Sequence, residues 1–370
     1  MSEFPKALAA TARAADQSAP TLTGLQGRRV KAADGTMLTA ADTQKNRAAY
    51  PALQSPEPNF PKLRLVVLFS LLSGAVLSVA TGNLHMAELP LFSRLFDQLL
   101  AGDILLADRG FGNFILLALL QKLNRGVDFI GRSVRHVDGR RRLKRLGRQD
   151  WLVQWQRNPK PSLWLPLAQW LALPKHLTVR MVRGSLYCKG FRVRQVTLVT
   201  TLLDPQRYPA QEILQAYLRR WRLEMCLDEL KTTLEMEMLR SRSPEMVQRE
   251  IYAHLIAHNL IRYTMAQAAT QQTVPLERIS FKGTLDALRQ FTQAISQART
   301  QKKRRQLWTK LLETLAADLV PERPGRSEPR AVKRVKTKYP RLSAPRRQFR
   351  GRPKRNVRCT NARLRKLGLM

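Results

Sequence analysis

Two aspartates each follow a predicted strand and stand directly before turn-forming residues. Asp34 comes after RRVKAA and precedes Gly35, and Asp108 comes after ILLA and precedes an Arg-Gly pair. Magnesium-dependent phosphodiester chemistry needs several carboxylates that converge from different segments of a chain. Each aspartate alone is equally well explained as an ordinary turn residue. A third acid from another segment is therefore needed before the pattern predicts a metal site.

That third acid lies in the stretch YLRRWRLEMCLDELK, where basic residues outnumber acidic ones. On a helix at about 100° per residue, four polar residues of this stretch share one stripe about 60° wide: Tyr217, Arg220, Glu224 and Lys231. The predicted core face borders this stripe and consists of Ala216, Leu223, Leu227, Leu230 and Leu234. Carboxylates hold magnesium, while cations and a phenol bind neighbouring phosphates, so the mixture suits an enzyme that acts on phosphodiesters. Arg219 and Arg222 point elsewhere and are expected at the surface.

The composition indicates a polyanionic partner. The 370 residues include 65 Lys and Arg against 27 Asp and Glu, which gives a net charge of +38. This is far beyond what solubility requires, and nucleic acid is the commonest partner of such a chain. An anionic membrane surface and a ribosome-like basic protein are the alternatives. The 44% hydrophobic content is enough for a sizeable core.

Neither a membrane span nor a disulfide framework is expected. The one membrane candidate, residues 65–80, has sixteen residues without a charge, which is short of the roughly 20 that a spanning helix needs. Ser73-Gly74 interrupts it, so two buried strands joined by a turn are predicted. Three cysteines without a C-x-x-C pair fit a reducing cytosol, and the first twenty residues show no secretory signal.

The elements that must position the three acids are predicted from periodicity. A strand from Arg28 is expected to end at Asp34-Gly35, and a short buried strand, Ile104 to Ala107, delivers Asp108. Alternating strands and helices indicate an α/β core with a mixed sheet flanked by helices. Five segments follow: a weakly ordered lead-in (1–27), the first part of the core (28–134), a β-rich insertion before the third acid (135–203), a helical second part of the core (204–320), and a basic tail (321–370).

Further predictions concern the helices and the tail. A helix begins near Pro209, and a long one begins at Ser243, placed as its N-cap, with Pro244 in the first helical position. Two more helices are expected over 282–298 and 302–319. Residues 321–370 contain 18 Lys and Arg and 2 Glu, which predicts an extended basic tail.

The acids and the helix motif together resemble a known family. AADGT at Asp34, LLADRGF at Asp108 and the pattern Y-x2-R-x3-E-x6-K at Glu224 look like the DDE transposases of bacterial insertion sequences, specifically insertion-sequence family four. The spacings of 74 and 116 residues between the acids also match that group. The text around KTTLEMEMLRSRSPEMVQREIYAHLIAHNLIR is similar as well. The resemblance covers roughly residues 28–340.

The resemblance implies an RNase H-like catalytic core with Asp34, Asp108 and Glu224 as catalytic ligands of two magnesium ions. The implied reaction is hydrolysis at the transposon ends, followed by attack of the freed 3′-hydroxyl on target DNA. The implied partner is double-stranded DNA, both the inverted repeats of the transposon and the target, and no membrane is involved. The resemblance also implies a homodimer on paired ends and a place in the bacterial cytoplasm, at the nucleoid. Three residues would contact DNA phosphates beside the scissile bond: Tyr217, Arg220 and Lys231.

Two alternatives to a transposase are kept. One is an RNase H-like nuclease that does not join strands, and the other is a non-catalytic DNA-binding remnant. Relatives carry a substantial helical segment before the first aspartate that helps to bind transposon ends. Only 33 residues precede Asp34 here, so a shortened copy, or end recognition elsewhere, is expected.

Histidines and tryptophans outside these motifs have simpler interpretations. His254 and His258 are spaced four apart on an apolar helix, with no acid or cysteine at a supporting spacing. They are predicted to be core or interface histidines and not metal ligands. The tryptophans of the β-rich insertion could stack on bases, yet a place in the core is the favoured interpretation.

Overall fold

The structure is a computed structural model that describes residues 3–21, 25–51, 60–133, 141–186 and 194–321. Nine strands within these residues form one sheet. Their bounds are Val30–Thr39 (β1), Lys62–Ser70 (β2), Val76–Asn83 (β3), Ile104–Ala107 (β4), Asp128–Arg132 (β5), Arg142–Gly147 (β6), Asp150–Gln156 (β7), His176–Leu186 (β8) and Arg194–Thr200 (β9).

The strand order is β3-β2-β1-β4-β5-β9-β8-β7-β6. β1, β4 and β5 run parallel, whereas β2, β3 and the four strands after β5 pair in the antiparallel sense. Three antiparallel strands followed by two parallel ones, with β1 in the centre, are the arrangement of an RNase H-like core. The predicted fold class is confirmed: a mixed α/β sheet, flanked by helices, with a β-rich segment before the third acid.

β2 shows that the central sheet is buried on both faces. Leu65, Val67 and Phe69 of β2 pack into one apolar cluster, while Val66 and Leu68 pack into another on the opposite face. This is the period of two expected for a strand covered by helices on both sides. The predicted turn between β2 and β3 contains Gly74, whose φ of +80° suits glycine. No helix among the described residues is long and apolar enough to cross a bilayer.

β1 extends further than predicted. The sequence suggested an end at Asp34-Gly35, but the strand continues to Thr39 because β2 pairs with it as far as Thr39 and Lys62. β4 does end at Ala107, as predicted, opposite Ala33 of β1. Asp34 is therefore the point at which β1 loses its parallel neighbour. It is not the point at which β1 itself stops.

The β-rich segment predicted for residues 135–203 joins the same sheet. β9 pairs with β5, and β8, β7 and β6 extend the sheet beyond it. Trp151, Trp155 and Trp170 are buried, as the core interpretation predicted. Arg180 lies fully buried in a bidentate pair with Asp150, at 2.9 and 2.6 Å. The strands of this segment therefore continue the core sheet.

The weakly ordered lead-in predicted for residues 1–27 is wrong. Glu3–Ser18 forms a helix, α1, whose Leu8, Ala12 and Ala15 are buried. These residues pack against β3 and a later helix that contains Asn259. The Asn259 side chain donates to the carbonyl oxygen of Leu8 at 3.3 Å. Leu8, Ala12 and Ala15 do recur at helical spacing, but small alanine side chains bury little area, so the helix depends on its packing against the rest of the chain.

The remaining helices flank the sheet. Their bounds are Gln44–Ala49 (α2), Glu88–Ser93 (α3), Phe114–Lys122 (α4), Leu167–Leu171 (α5), Ala210–Leu218 (α6), Trp221–Asp228 (α7), Pro244–Gln271 (α8), Phe281–Gln297 (α9) and Gln301–Ala317 (α10). The predicted N-cap of α8 is confirmed, because the Ser243 hydroxyl accepts from the Met246 amide. α9 and α10 match the two predicted helices, and the predicted basic tail beyond residue 321 lies outside the described residues.

The helix predicted to run on from Pro209 is broken into α6 and α7. The amides of Arg219, Arg220, Arg222 and Leu223 donate to carbonyl oxygens three residues back, at 2.9–3.1 Å. This is the tighter 3-10 spacing, which rotates side chains by about 120° per residue. A π-helical turn, Glu229–Thr233, then follows α7. The single angular stripe assumed for the whole stretch is therefore divided between three segments.

Candidate active site

The two aspartates lie on adjacent parallel strands. β1 and β4 pair in register through Ala33 and Ala107, so Asp34 and Asp108 are the next residues on neighbouring strands. Such strands lie about 4.8 Å apart. All four residues of β4 are fully buried, which fixes the backbone that carries Asp108. The Gly35 amide donates to Oδ1 of Asp34 at 2.8 Å.

Arg220 brings the third acid to this strand edge. Its Nη2 donates to Oε1 of Glu224 at 2.6 Å, and its Nη1 lies 3.9 Å from Oδ2 of Asp34. The Tyr217 hydroxyl donates to Oδ1 of Asp108 at 3.5 Å. Five of the six residues singled out from the sequence therefore lie in one cluster: Asp34 and Glu224 beside Arg220, and Asp108 beside Tyr217. Tyr217, Arg220 and Glu224 thus still face the same site, although the helix is broken between α6 and α7.

Lys231 lies away from this cluster. Its Nζ is 3.4 Å from Oε1 of Glu237. Both residues line a groove that also contains Gly35, Lys62 and Arg64. Lys231 thus belongs to the wall of a cationic groove that begins beside Asp34.

Burial and crowding perturb Asp34. Burial, with smaller contributions from the nearby carboxylates of Asp108 and Glu88, raises the pKa of Asp34 to about 6, although the Gly35 amide and Arg220 act in the opposite direction. Burial acts to lower the pKa of Arg220, but attraction to Tyr217, Asp108 and Glu224 leaves it raised. Burial raises the pKa of Tyr217, so its hydroxyl keeps its proton. The carboxylates are therefore close enough to repel one another, and a bound cation would relieve that repulsion.

Asp34→Asn is expected to stabilise the metal-free protein. The pKa of this carboxyl is about 6 in the folded protein, against an ordinary 3.8. Its contribution to the free energy of unfolding is therefore complete below pH 4 and is lost as the pH rises through 6. At pH 7.5 in a chelator, the neutral amide should raise the free energy of unfolding by about 1–3 kcal/mol. Urea unfolding at pH 7.5 and at pH 4 measures this. A gain that persists at pH 4 would contradict the titration as its cause.

One acid of this region was missed by the sequence analysis. Glu88, in the stretch GNLHMAELPLF at the start of α3, lies against the backbone of Gly35. The only local signal is an acid in the first turn of a helix, which is ordinary for a helix N-terminus. Its place beside Asp34 depends on how α3 packs on the sheet.

A second polar cluster surrounds His258. The structure brings Cys226 and Glu229 to it, with possible ligand atoms within 4.8 Å of one another, although their sequence spacing gave no sign of this. Arg262 already supplies the positive charge, since its Nη2 donates to Glu229 at 2.6 and 2.5 Å and to Cys226 Sγ at 3.1 Å. Burial raises the pKa of the Cys226 thiol to about 11, which disfavours the thiolate that metal binding needs. The cluster is a buried ion-pair network, which agrees with the prediction that His258 is a core histidine.

Comparison with known proteins assigns the family. A family model described as a transposase DDE domain matches residues 25–260, a range that contains all three acids. The chain belongs to the DDE transposase family. The resemblance to the DDE transposases is thereby confirmed.

Individual relatives are consistent with this family. The transposase InsG of insertion sequence element IS4 from Escherichia coli (strain K12) is 27% identical over 246 residues, which cover 64% of this chain and 52% of that protein. The putative transposase InsL of element IS186A from the same organism is 34% identical over 64 residues, 17% of each chain. This transposase-family chain therefore spans about half the length of InsG. A cryo-EM structure of a piggyBac transposase synaptic complex with hairpin DNA is similar at a TM-score of 0.40 and 12% identity, over 81% of this chain and 60% of that one.

The residues present fit the divalent metal ions that DDE transposase domains generally use. Asp34, Asp108 and Glu224 offer oxygen atoms only, which is the donor set that magnesium prefers. The three come from a strand, a strand end and a helix, so each is held by a different part of the core. Asp108 and Glu88 repel the Asp34 carboxylate, and a bound divalent ion would relieve that repulsion.

Proposed function

We propose that this chain cleaves DNA at transposon ends and joins the freed 3′-hydroxyl to target DNA, with Asp34, Asp108 and Glu224 holding two magnesium ions. The convergence of these three carboxylates around Arg220, in a chain of the DDE transposase family, carries the proposal. Metal ions bound there would activate the attacking oxygen and stabilise the leaving oxygen.

The chain's own residues have separate roles in this proposal. Asp34 and Asp108 are fixed by paired strands, and Glu224 is brought to them on α7. Arg220, whose side chain is 13% exposed, would exchange a carboxylate partner for a phosphate oxygen when DNA enters. The Tyr217 hydroxyl, which donates to Asp108, would be shared with a neighbouring phosphate.

DNA would follow the cationic groove. Lys62, Arg64 and Lys231 line it, together with Glu88 and Glu237, and phosphate contacts from such basic residues position a duplex without reading its sequence. The net charge of +38 supports this partner. The same proposal includes inverted repeats and target DNA as the bound DNA and a homodimer on paired ends. It also includes a place on the bacterial nucleoid in the cytoplasm.

The test uses the purified full chain, magnesium, and a labelled DNA fragment that carries the element's own ends. Nicking at the ends followed by strand transfer is the expected result. Nicking without joining would favour an RNase H-like nuclease, and binding without nicking would favour a non-catalytic remnant. The same fragment with scrambled ends is the control, because a transposase should leave it uncut.

A further inference from the structure

Glu88 places a fourth carboxylate at the edge where Asp34 and Asp108 lie. A Cβ atom built on Gly35 would lie 2.6 Å from both Cδ and Oε1 of Glu88, and one built on Gly110 would lie 3.8 Å from its Oε2. The carboxylate therefore rests against the residue that follows Asp34 and faces the turn that follows Asp108. One side chain therefore lies beside both Gly35, within β1, and the turn that follows β4.

No hydrogen bond or ion pair to the Glu88 carboxylate is found within the described part of the chain. This is unusual in a protein in which 65 basic residues face 27 acidic ones. Other acids of the same region have cationic partners: Glu224 pairs with Arg220, and Glu237 with Lys231. A half-buried, unpaired carboxylate next to other carboxylates is costly unless a cation joins them.

Gly35 is the residue that permits this approach. Any larger side chain at position 35 would occupy the space of the Glu88 carboxylate. Glycine allows the close contact of a backbone with another group. The sequence Asp34-Gly35 thus combines an acid with a space that admits a second acid.

We propose that Glu88 is a fourth carboxylate of the metal site, binding the divalent ion next to Asp34 either directly or through a water molecule. This inference rests on the proposed function, because it assumes the metal site of Asp34, Asp108 and Glu224. Oxygen donors from four segments match the preference of magnesium and manganese.

Manganese binding to the full chain without DNA tests this independently of catalysis. Electron paramagnetic resonance counts free Mn²⁺, and Glu88→Gln is expected to weaken the tighter binding step by at least about tenfold. Glu235→Gln is the matched control, because that glutamate is exposed and pairs with Arg240. Thermal unfolding of each variant in a chelator checks that it is folded.

Asp108→Asn separates the possible failures. If it weakens manganese binding while Glu88→Gln binds like the unaltered protein, the metal site stands and the role of Glu88 is wrong. If the unaltered protein binds no manganese, or if Asp108→Asn binds it normally, the proposed metal site itself is wrong and the role of Glu88 is overturned with it.

A double-mutant cycle with Gly35 tests the contact itself. Gly35→Ala should displace Glu88 and weaken manganese binding about as much as Glu88→Ala does. In the Glu88→Ala background the space is empty, so Gly35→Ala should then have little further effect. Additive losses would show that Gly35 acts without Glu88 and would overturn the proposed arrangement.

Discussion

Asp108→Asn is expected to lower the rate of DNA end cleavage by more than about 1,000-fold, because it removes a group that organises charge in the transition state. DNA binding is expected to change by less than about twofold. Asparagine has the shape of aspartate but lacks its charge, and a divalent ion needs the ionised ligand. The backbone should not move, because β4 is fully buried up to Ala107. The Tyr217 hydroxyl can still donate to the amide oxygen.

Single-turnover cleavage of labelled ends measures the effect of Asp108→Asn, and gel-shift titration measures binding. Asp97→Asn is the control, because that aspartate is 90% exposed and lies 3.9 Å from Arg125. Its cleavage rate should stay within about twofold of the unaltered protein's. If Asp108→Asn keeps more than a tenth of the cleavage rate, Asp108 is not a metal ligand.

Arg262→Met is expected to lower the free energy of unfolding by about 3–5 kcal/mol, since it leaves the charge of Glu229 buried without a partner. Arg262 lies in α8, and its side chain is 10% exposed, against 13% for Glu229. Burial acts to raise the pKa of Glu229, but the arginine and His258 bring it below its ordinary value, so the carboxyl is ionised. The thiol of Cys226 also loses its donor.

Urea unfolding measures the loss in Arg262→Met, with Arg249→Met as the matched control on the same helix. Arg249 pairs with Glu245 at the surface, so its removal should cost less than about 1 kcal/mol. The double variant Glu229→Met with Arg262→Met should recover part of the loss, because no charge remains buried. A loss of less than about 1 kcal/mol in Arg262→Met would contradict the proposed network.

The same network connects stability to the active site. Glu229 begins the π-helical turn that follows α7, five residues after Glu224. Arg262 and His258 hold that turn against α8. We therefore expect the cleavage rate of a folded Arg262→Met protein to fall as well, since the helix that carries Glu224 loses its anchor.

Local patterns in the sequence were enough to predict the elements around the active site. β4 was expected to end before Asp108, Ser73-Gly74 to join two buried strands, and Ser243 to cap α8, and all three are present. Each depends on neighbouring residues: a run of apolar side chains, a glycine in a turn, or a hydroxyl before a helix. Four of the five residues predicted for the core face of the third-acid helix are buried, Ala216, Leu223, Leu227 and Leu230, whereas Leu234 is half-buried.

Only the tertiary structure showed how distant segments meet. The helix was expected to run on unbroken from Pro209, but it breaks at Arg219 and Arg220, and only the structure shows Arg220 between Asp34 and Glu224. The buried face of α1 was missed because its small side chains gain burial only from α8 and β3. Glu88 beside Gly35, and Arg262 beside Glu229, are contacts between residues far apart in the chain. Periodicity in a sequence describes only contacts between residues a few positions apart. The sequence by itself therefore determined which residues could do the chemistry, whereas tertiary packing decided which of them share a site.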